Sequence, residues 1–337
     1  MPTTHSVLRN SGPLVTVAIP TFNRASLLKD CLNSAFSQTY ENYEVVVSDN
    51  ASTDGTSDLL ELLSHPKLRV VRQQTNIGLI PNWNACLAEA KGDYVLFLSD
   101  DDRIEPEMLE RCVALTRIES QLPIIVALCE EQDTWGHIVR GVTFSKIFCT
   151  GVWQGSDILI EYLRWRISTQ MCTILLRTDE VRALGGFPTD MPHACDMVIV
   201  ASLLLKGRSG FVNECCGTYG IHNSRETSRL TVDHRVDDAR KLAGVIKEMA
   251  KERINDRRKV HQIQLFARRL FLTYAGYCLL EYCNGGVTFS EALSALWRWR
   301  AVLVPATLVH IQRKARRFAV EFLPEPVIRF ARQLQRP

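Results

Sequence analysis

Three consecutive carboxylates, Asp100, Asp101 and Asp102, follow the apolar run Tyr94-Val-Leu-Phe-Leu98. Adjacent unpaired carboxylates raise one another's pKa and destabilise a turn unless a cation resolves the repulsion. Hard oxygen ligands suit Mg2+ or Mn2+, with a ligand diphosphate completing the octahedron. The plainer alternative is that they favour the start of a helix near Glu105. A second polar cluster, Asp49 to Thr56, follows the apolar run Tyr43 to Ser48. There Asp49 stands where it can accept a hydrogen bond from a base or a ribose. Asp54 reads as a helix cap within an Asx turn.

These groups need strands and helices to hold them. Leu14 to Pro20 is a continuous apolar, β-branched run of the kind found in buried parallel strands, Tyr43 to Ser48 reads as a second buried strand, and Leu68 to Arg72 and Tyr94 to Leu98 read as a third and a fourth strand. Helices are expected between them over Ser26 to Phe36, Ser57 to Leu63 and Asn82 to Lys91, and after them from Pro106 to Glu119. Ser26 is the expected cap of the first. This alternation predicts an α/β fold, a mostly parallel sheet with helices on both faces. Ligands of such sheets bind beyond the carboxyl ends of the strands. Thr21, Asn23, Asp49, Asn50 and the aspartate triplet all fall there.

Further along, Ile124 to Leu128, Lys146 to Cys149, Thr173 to Leu176, Phe211 to Cys215 and Thr218 to Ile221 read as strands. Ser156 to Arg166 and Ala194 to Lys206 read as helices. Beyond Ser228 the strand signals stop and the chain reads as helices.

Composition narrows the class. Of 337 residues, 46% are hydrophobic and 23% charged, which excludes a disordered chain, a collagen-like chain and a small disulfide scaffold. The eleven cysteines are scattered with no CxxC pair, pointing to a reducing compartment and no structural zinc. The N-terminal stretch lacks a signal-peptide core, and no apolar run approaches the roughly 20 residues of a membrane span. The net charge of +3 hides an asymmetry. Residues 231–337 hold 20 Lys and Arg against 10 Asp and Glu, while residues 1–230 hold 20 against 27.

Four blocks, Val15 to Arg24 (VTVAIPTFNR), Val46 to Thr56 (VVSDNASTDGT), Asn76 to Gly78 (NIG) and Ala90 to Asp102 (AKGDYVLFLSDDD), give the chain a wider identity. In order and spacing they resemble the inverting GT-A glycosyltransferases of the family 2 type. The resemblance is strong over the first hundred residues and continues weakly to about residue 225. It implies a Rossmann-like GT-A domain over 14–228, after a tail over 1–13 and before a basic helical region over 229–337.

The resemblance also implies roles. Pro20, Thr21, Asn23 and Asp49 would grip the nucleotide. Asn84 would face the donor. Asp100 would lie at the donor, with Asp101 and Asp102 touching a Mg2+ or Mn2+ ion on its diphosphate. In the loop Thr218 to Ser228, His222 would approach the metal and Arg225 the phosphates. The base of such enzymes follows a turn like Gly185-Gly186-Phe187-Pro188, within an acidic pair. This chain reads His193-Ala-Cys-Asp196 there, which leaves Asp196 as the expected base and His193 as the alternative. An Asp at a helix start is also an ordinary N-cap.

The expected function is metal-dependent, inverting transfer of a sugar from a nucleotide-diphosphate sugar, a UDP-sugar in the first instance. The acceptor would be a saccharide or a lipid-linked one, in bacterial surface polysaccharide or lipopolysaccharide synthesis. A non-catalytic GT-A-like binding or assembly subunit is the alternative that the altered His193 to Asp196 segment favours. A sugar nucleotidyltransferase is disfavoured, because the loop after the first strand carries no glycine. Residues 297–337 interleave Trp297, Trp299, Phe318, Phe322 and Phe330 with nine Arg and Lys residues. That pattern suits peripheral contact with an anionic membrane, or equally an apolar stripe packed on the catalytic domain or on a second copy in a homo-oligomer. No nucleic-acid partner is expected. The expected location is the cytoplasm, free or peripheral on the inner face of the cell membrane.

Overall fold

The computed structural model describes residues 12–222 and 232–284. Arg225, residues 1–11 of the N-terminal tail and the basic stretch 297–337 lie outside the described residues.

The first half of the chain builds four strands with a helix after each of the first three. These are β1 (Val15–Thr21), α1 (Ala25–Phe36), β2 (Tyr43–Asp49), α2 (Thr56–Leu62), β3 (Leu68–Arg72), α3 (Leu79–Glu89) and β4 (Tyr94–Phe97). They are followed by the two-residue β5 (Arg103–Ile104), α4 (Met108–Ala114), β6 (Ile124–Asp133), β7 (Ile138–Arg140), β8 (Gly151–Gln154) and α5 (Gly155–Leu163). Then come β9 (Ile174–Arg177), α6 (Thr178–Ala183), α7 (Cys195–Leu204), β10 (Arg208–Ile221), α8 (Val232–Arg253) and α9 (Arg257–Asn284).

All ten strands join one sheet, in the order β3-β2-β1-β4-β9-β6-β10-β5, with β7 beside β6 and β8 beside β10. β3, β2, β1 and β4 run parallel, as do β6 and β10. β9 is antiparallel to both of its neighbours, β4 and β6. The expected mainly parallel core is therefore joined to a mixed half.

Period-two alternation sends each strand's side chains to two separate cores. Val15, Val17 and Ile19 of β1 pack with Leu28 and Leu32 of α1 and Met108 of α4 on one face. Phe97, Val126 and Leu128 pack with Leu87 of α3, Leu159 of α5 and Ile199 of α7 on the other. Leu242, Ile246 and Ala250 of α8 and Ile263, Ala267 and Leu270 of α9 bury themselves in that second core. The described helices beyond residue 228 thus share their apolar interior with the sheet.

Several local expectations need correction. Residues 146–149 form no strand; Ser145 Oγ accepts from the Phe148 N–H and turns the segment instead. The two strands expected over 211–221 are one, β10, whose register against β6 shifts twice between Val212 and Thr218. α1 starts one residue before Ser26, and the side chain serving its start is distant in sequence: Asp54 Oδ2 accepts the Ala25 N–H at 3.1 Å. Asp196 is the second residue of α7, not its cap.

The strand order creates the site. The chain passes from β1 to β2 to β3 on one side, then crosses to β4 on the other side of β1. A crevice opens where the order reverses. β1 pairs with β4 only from Val15 to Ala18, whereas it follows β2 as far as Thr21. Pro20, with no N–H to give, falls in the part of β1 that has left β4.

Candidate active site

The crevice is a cleft of about 260 Å3. Pro20, Thr21 and Arg24 line it from the β1 side and Asp100, Asp101 and Asp102 from the β4 side, while Trp83, Gln170, Met171 and Asp196 line it from other segments.

The acidic triplet is tightly held. Thr21 Oγ1 donates to Asp100 Oδ2 at 2.7 Å, bridging the ends of β1 and β4. Arg24 Nη1 lies 3.2 Å from Asp100 Oδ1 and 2.6 Å from Asp101 Oδ2. His222 Nε2 lies 2.7 Å from the same Asp101 oxygen. The Gly220 N–H donates to Asp102 Oδ1 at 2.9 Å. A Cβ at Gly220 would stand 2.2 Å from the Asp101 carbonyl oxygen, so only glycine lets β10 pass this close to the triplet.

The three carboxyls titrate apart. Burial, then the charge of Asp101, pushes Asp100 up to about 7. The same two causes, in that order, push Asp102 well above the carboxylate range. Burial also works against Asp101, but the His222 hydrogen bond and the Arg24 charge outweigh it and hold that carboxyl low. Ionising all three in this partly dry cleft would leave more negative charge than Arg24, which reaches only Asp100 and Asp101, can offset, a demand that a hard cation meets. Among the described residues, no three His, Cys, Asp or Glu side chains form a metal cage of their own. A hard cation at the triplet would need ligand oxygens beside Asp101 and Asp102 to complete its shell.

Asp196 reaches the same cleft from the first turn of α7. Its Oδ1 accepts the Met197 N–H at 2.7 Å, and burial raises its pKa. His193 does not line the cleft. Its backbone N–H donates to Asp238 Oδ2 at 2.8 Å, and burial, with the charge of Arg235, lowers its imidazole to about 4. Of the two candidate bases, Asp196 is the one that faces the cavity.

Three other candidates shape the rim without lining the cleft. Asn23, at φ +54, accepts the Thr53 N–H at 2.7 Å, while its own N–H donates to Ser52 Oγ at 2.9 Å. Asp49 is buried, accepting the Ser52 N–H at 3.0 Å and the Ser57 hydroxyl at 2.7 Å. Asn84, expected to face the donor, is instead spent on the turn that leads to α7. Its Nδ2 donates to Phe187 O at 3.0 Å, and its Oδ1 accepts the Phe187 N–H at 2.8 Å. Gly186, at φ +80, leaves room for it, since a Cβ there would lie 2.5 Å from Asn84 Oδ1.

Sequence reasoning did not single out Arg24, Trp83, Gln170, Met171 or Tyr219, all of which line the cleft. Arg24 could have been found, because it closes the same Val15 to Arg24 block as Thr21. Trp83 stacks on Phe97 at 5.2 Å and meets Phe187 edge-on at 5.2 Å, locking α3 to β4 and to the Phe187 turn. That cluster joins residues 14 and 104 positions apart, and no local pattern announces it.

Residues 16–145 match the family model described as glycosyl transferase family 2. The chain is 26% identical over 219 residues to a hyaluronan synthase of Pasteurella multocida, covering 63% of this chain and 21% of that protein. It therefore spans about a fifth of that relative's length. Among solved structures it is similar to S. aureus TarS 1–349 in complex with UDP-GlcNAc. The TM-score is 0.61 at 20% identity, covering 89% of this chain and 87% of that one. It is also similar to a mannosyltransferase of Pyrobaculum calidifontis in complex with GDP-Man and Mn2+. There the TM-score is 0.51 at 21% identity, over 88% of this chain and 83% of that one. At such identities these two structures show the fold, which is GT-A.

Proposed function

We propose that the chain, whose residues 16–145 match the glycosyl transferase family 2 model, transfers a sugar, with inversion, from a nucleotide-diphosphate sugar to an acceptor hydroxyl. The observation that carries the reading is that one cleft is lined by both the acidic triplet and Asp196. The first suits a donor diphosphate and the second an acceptor proton. A UDP-sugar is the favoured donor, supported by the similarity to TarS, whose complex holds UDP-GlcNAc. A saccharide or lipid-linked acceptor in bacterial surface polysaccharide synthesis is supported by the hyaluronan synthase relative.

In this reading, Thr21 and the loops held by Asn23 and Asp49 receive the nucleotide. Asp101 and Asp102 hold a Mg2+ or Mn2+ ion, which when bound neutralises charge on the departing diphosphate. Arg24 stays beside the triplet and keeps Asp101 ionised. Asp196, ionised, accepts the proton of the acceptor hydroxyl as that oxygen attacks the anomeric carbon opposite the leaving group. A raised pKa brings this carboxylate closer to the proton it must take than an exposed aspartate would be. Contact with a membrane through residues 297–337 and self-association belong to the same proposal. Among the described residues no helix is long and apolar enough to cross a membrane.

The test is a thermal-shift screen of UDP- and GDP-sugars with Mn2+, since a ligand that binds only the native state raises its melting temperature. A cation-dependent shift with at least one nucleotide sugar is expected. No shift with any of them would contradict the reading.

A further inference from the structure

The segment that delivers Asp196 to the cleft is held from outside the sheet. Asn84 fixes its start at Phe187 through two hydrogen bonds. Six residues on, the His193 N–H donates to Asp238 Oδ2 at 2.8 Å, and α7 begins two residues later at Cys195. Asp238 is on α8 and is only 3% exposed, so its carboxylate is committed to this junction.

α8 grips the same stretch elsewhere too. Lys241 Nζ lies 3.3 Å from Asp190 O. At the far end of α7, Arg253 Nη1 donates to Ser202 O at 2.9 Å, and the Ser202 hydroxyl meets Met249 Sδ at 3.2 Å. Leu242, Ile246 and Ala250 fill the core between these polar anchors. The helix is therefore fastened along the length of α7.

We propose that Asp238 is a positioning residue for the transfer reaction, holding the His193 N–H so that Asp196 keeps its place in the cleft. This rests on Asp196 serving as the base. It makes α8 a working part of the transferase, although it lies beyond the segment whose sequence resembles the family. The His193–Asp238 hydrogen bond matters because backbone leading into a helix start is otherwise free to fray. A base displaced by an ångström loses much of its effect.

The experiment uses the full chain, hydrogen–deuterium exchange over residues 189–197, and release of nucleoside diphosphate from whichever UDP-sugar the wild type turns over with Mn2+. In Asp238→Ala, exchange should speed up and turnover should fall, each by about tenfold, the worth of one hydrogen bond. The shift in melting temperature with UDP and Mn2+ should not change. Asp238→Asn keeps an oxygen acceptor and should restore both quantities to near wild type. Asp238→Ser, polar but too short to reach, takes the place of the alanine variant if that does not fold. Unchanged exchange in Asp238→Ala, faster exchange with unchanged turnover, or equal losses in the Ala and Asn variants would each overturn the proposal. A wild type that releases nothing from any donor would instead overturn the transferase reading, and the exchange data would still decide whether Asp238 holds the segment.

Discussion

Arg24 and Asp101 form an ion pair at 2.6 Å that ties the loop after β1 to the turn after β4. The guanidinium also reaches Asp100, so one cation moderates two of three adjacent carboxylates. Both partners are largely buried, with side chains 13% and 10% exposed. Removing one partner of such a pair is costlier than the pair itself is stabilising.

Arg24→Met should therefore lower stability by about 3 kcal/mol at neutral pH without divalent cation. Urea unfolding measures it. Added Mn2+ should recover part of the deficit, because the ion takes over the neutralising role. A deficit unaffected by Mn2+ would separate the triplet from cation binding.

Asp196→Asn should reduce turnover on the order of 100-fold, the usual contribution of a positioned base. It should also stabilise the protein at neutral pH. Burial raises the Asp196 pKa in the folded state. A raised carboxyl contributes its stability below the unfolded value and loses it as pH rises through the folded one. Asn has no such loss, so its melting temperature should exceed that of the wild type at pH 7.5 and the gap should close at pH 4. For the same reason, the acid limb of the wild-type rate profile should lie above the ordinary aspartate range.

His193 gives the opposite sign. Its folded pKa is about 4, against 6.5 for the free side chain, because the ring is buried and faces Arg235. Between those values the unfolded chain binds a proton that the folded one refuses, so stability should fall as pH drops from 6.5 toward 4. His193→Gln should flatten that part of the curve in denaturant titrations. An equally steep curve in the variant would place the acid sensitivity elsewhere.

Gly220→Ala should cost about 2 kcal/mol through overpacking, since the new methyl meets the Asp101 carbonyl oxygen. The Gly220 N–H also holds Asp102, so UDP binding with Mn2+ should weaken as well. Isothermal titration would show it, and unchanged affinity would argue that Asp102 does not touch the ligand.

Much of the ligand-facing half could be read from the sequence because local pattern and chemistry coincide there. Apolar runs built β1, β2 and β4, and the polar residues that follow each strand fell where a parallel sheet puts its crevice. What could not be read depends on contacts between distant segments. Asn84 carries no local sign that its amide will serve Phe187 rather than a ligand. Asp238 sits among the charged residues of a helix that looks solvated in sequence, yet it is buried against the start of α7. The sequence reads as a strand at β9, but its antiparallel insertion between β4 and β6 follows from no periodicity. The single bent β10 looked like two strands because Gly217 interrupts its apolar pattern, and that glycine is needed where a Cβ would meet the Arg103 carbonyl oxygen at 2.7 Å.

The most direct measurement is release of nucleoside diphosphate from a panel of UDP- and GDP-sugars by the full chain, with Mn2+ and with chelator. We expect release from at least one donor, dependent on the cation and abolished in Asp101→Ala. A folded protein that releases nothing from any donor, or that releases as much with chelator and with Asp101→Ala, would contradict the assignment of this cleft to metal-dependent sugar transfer.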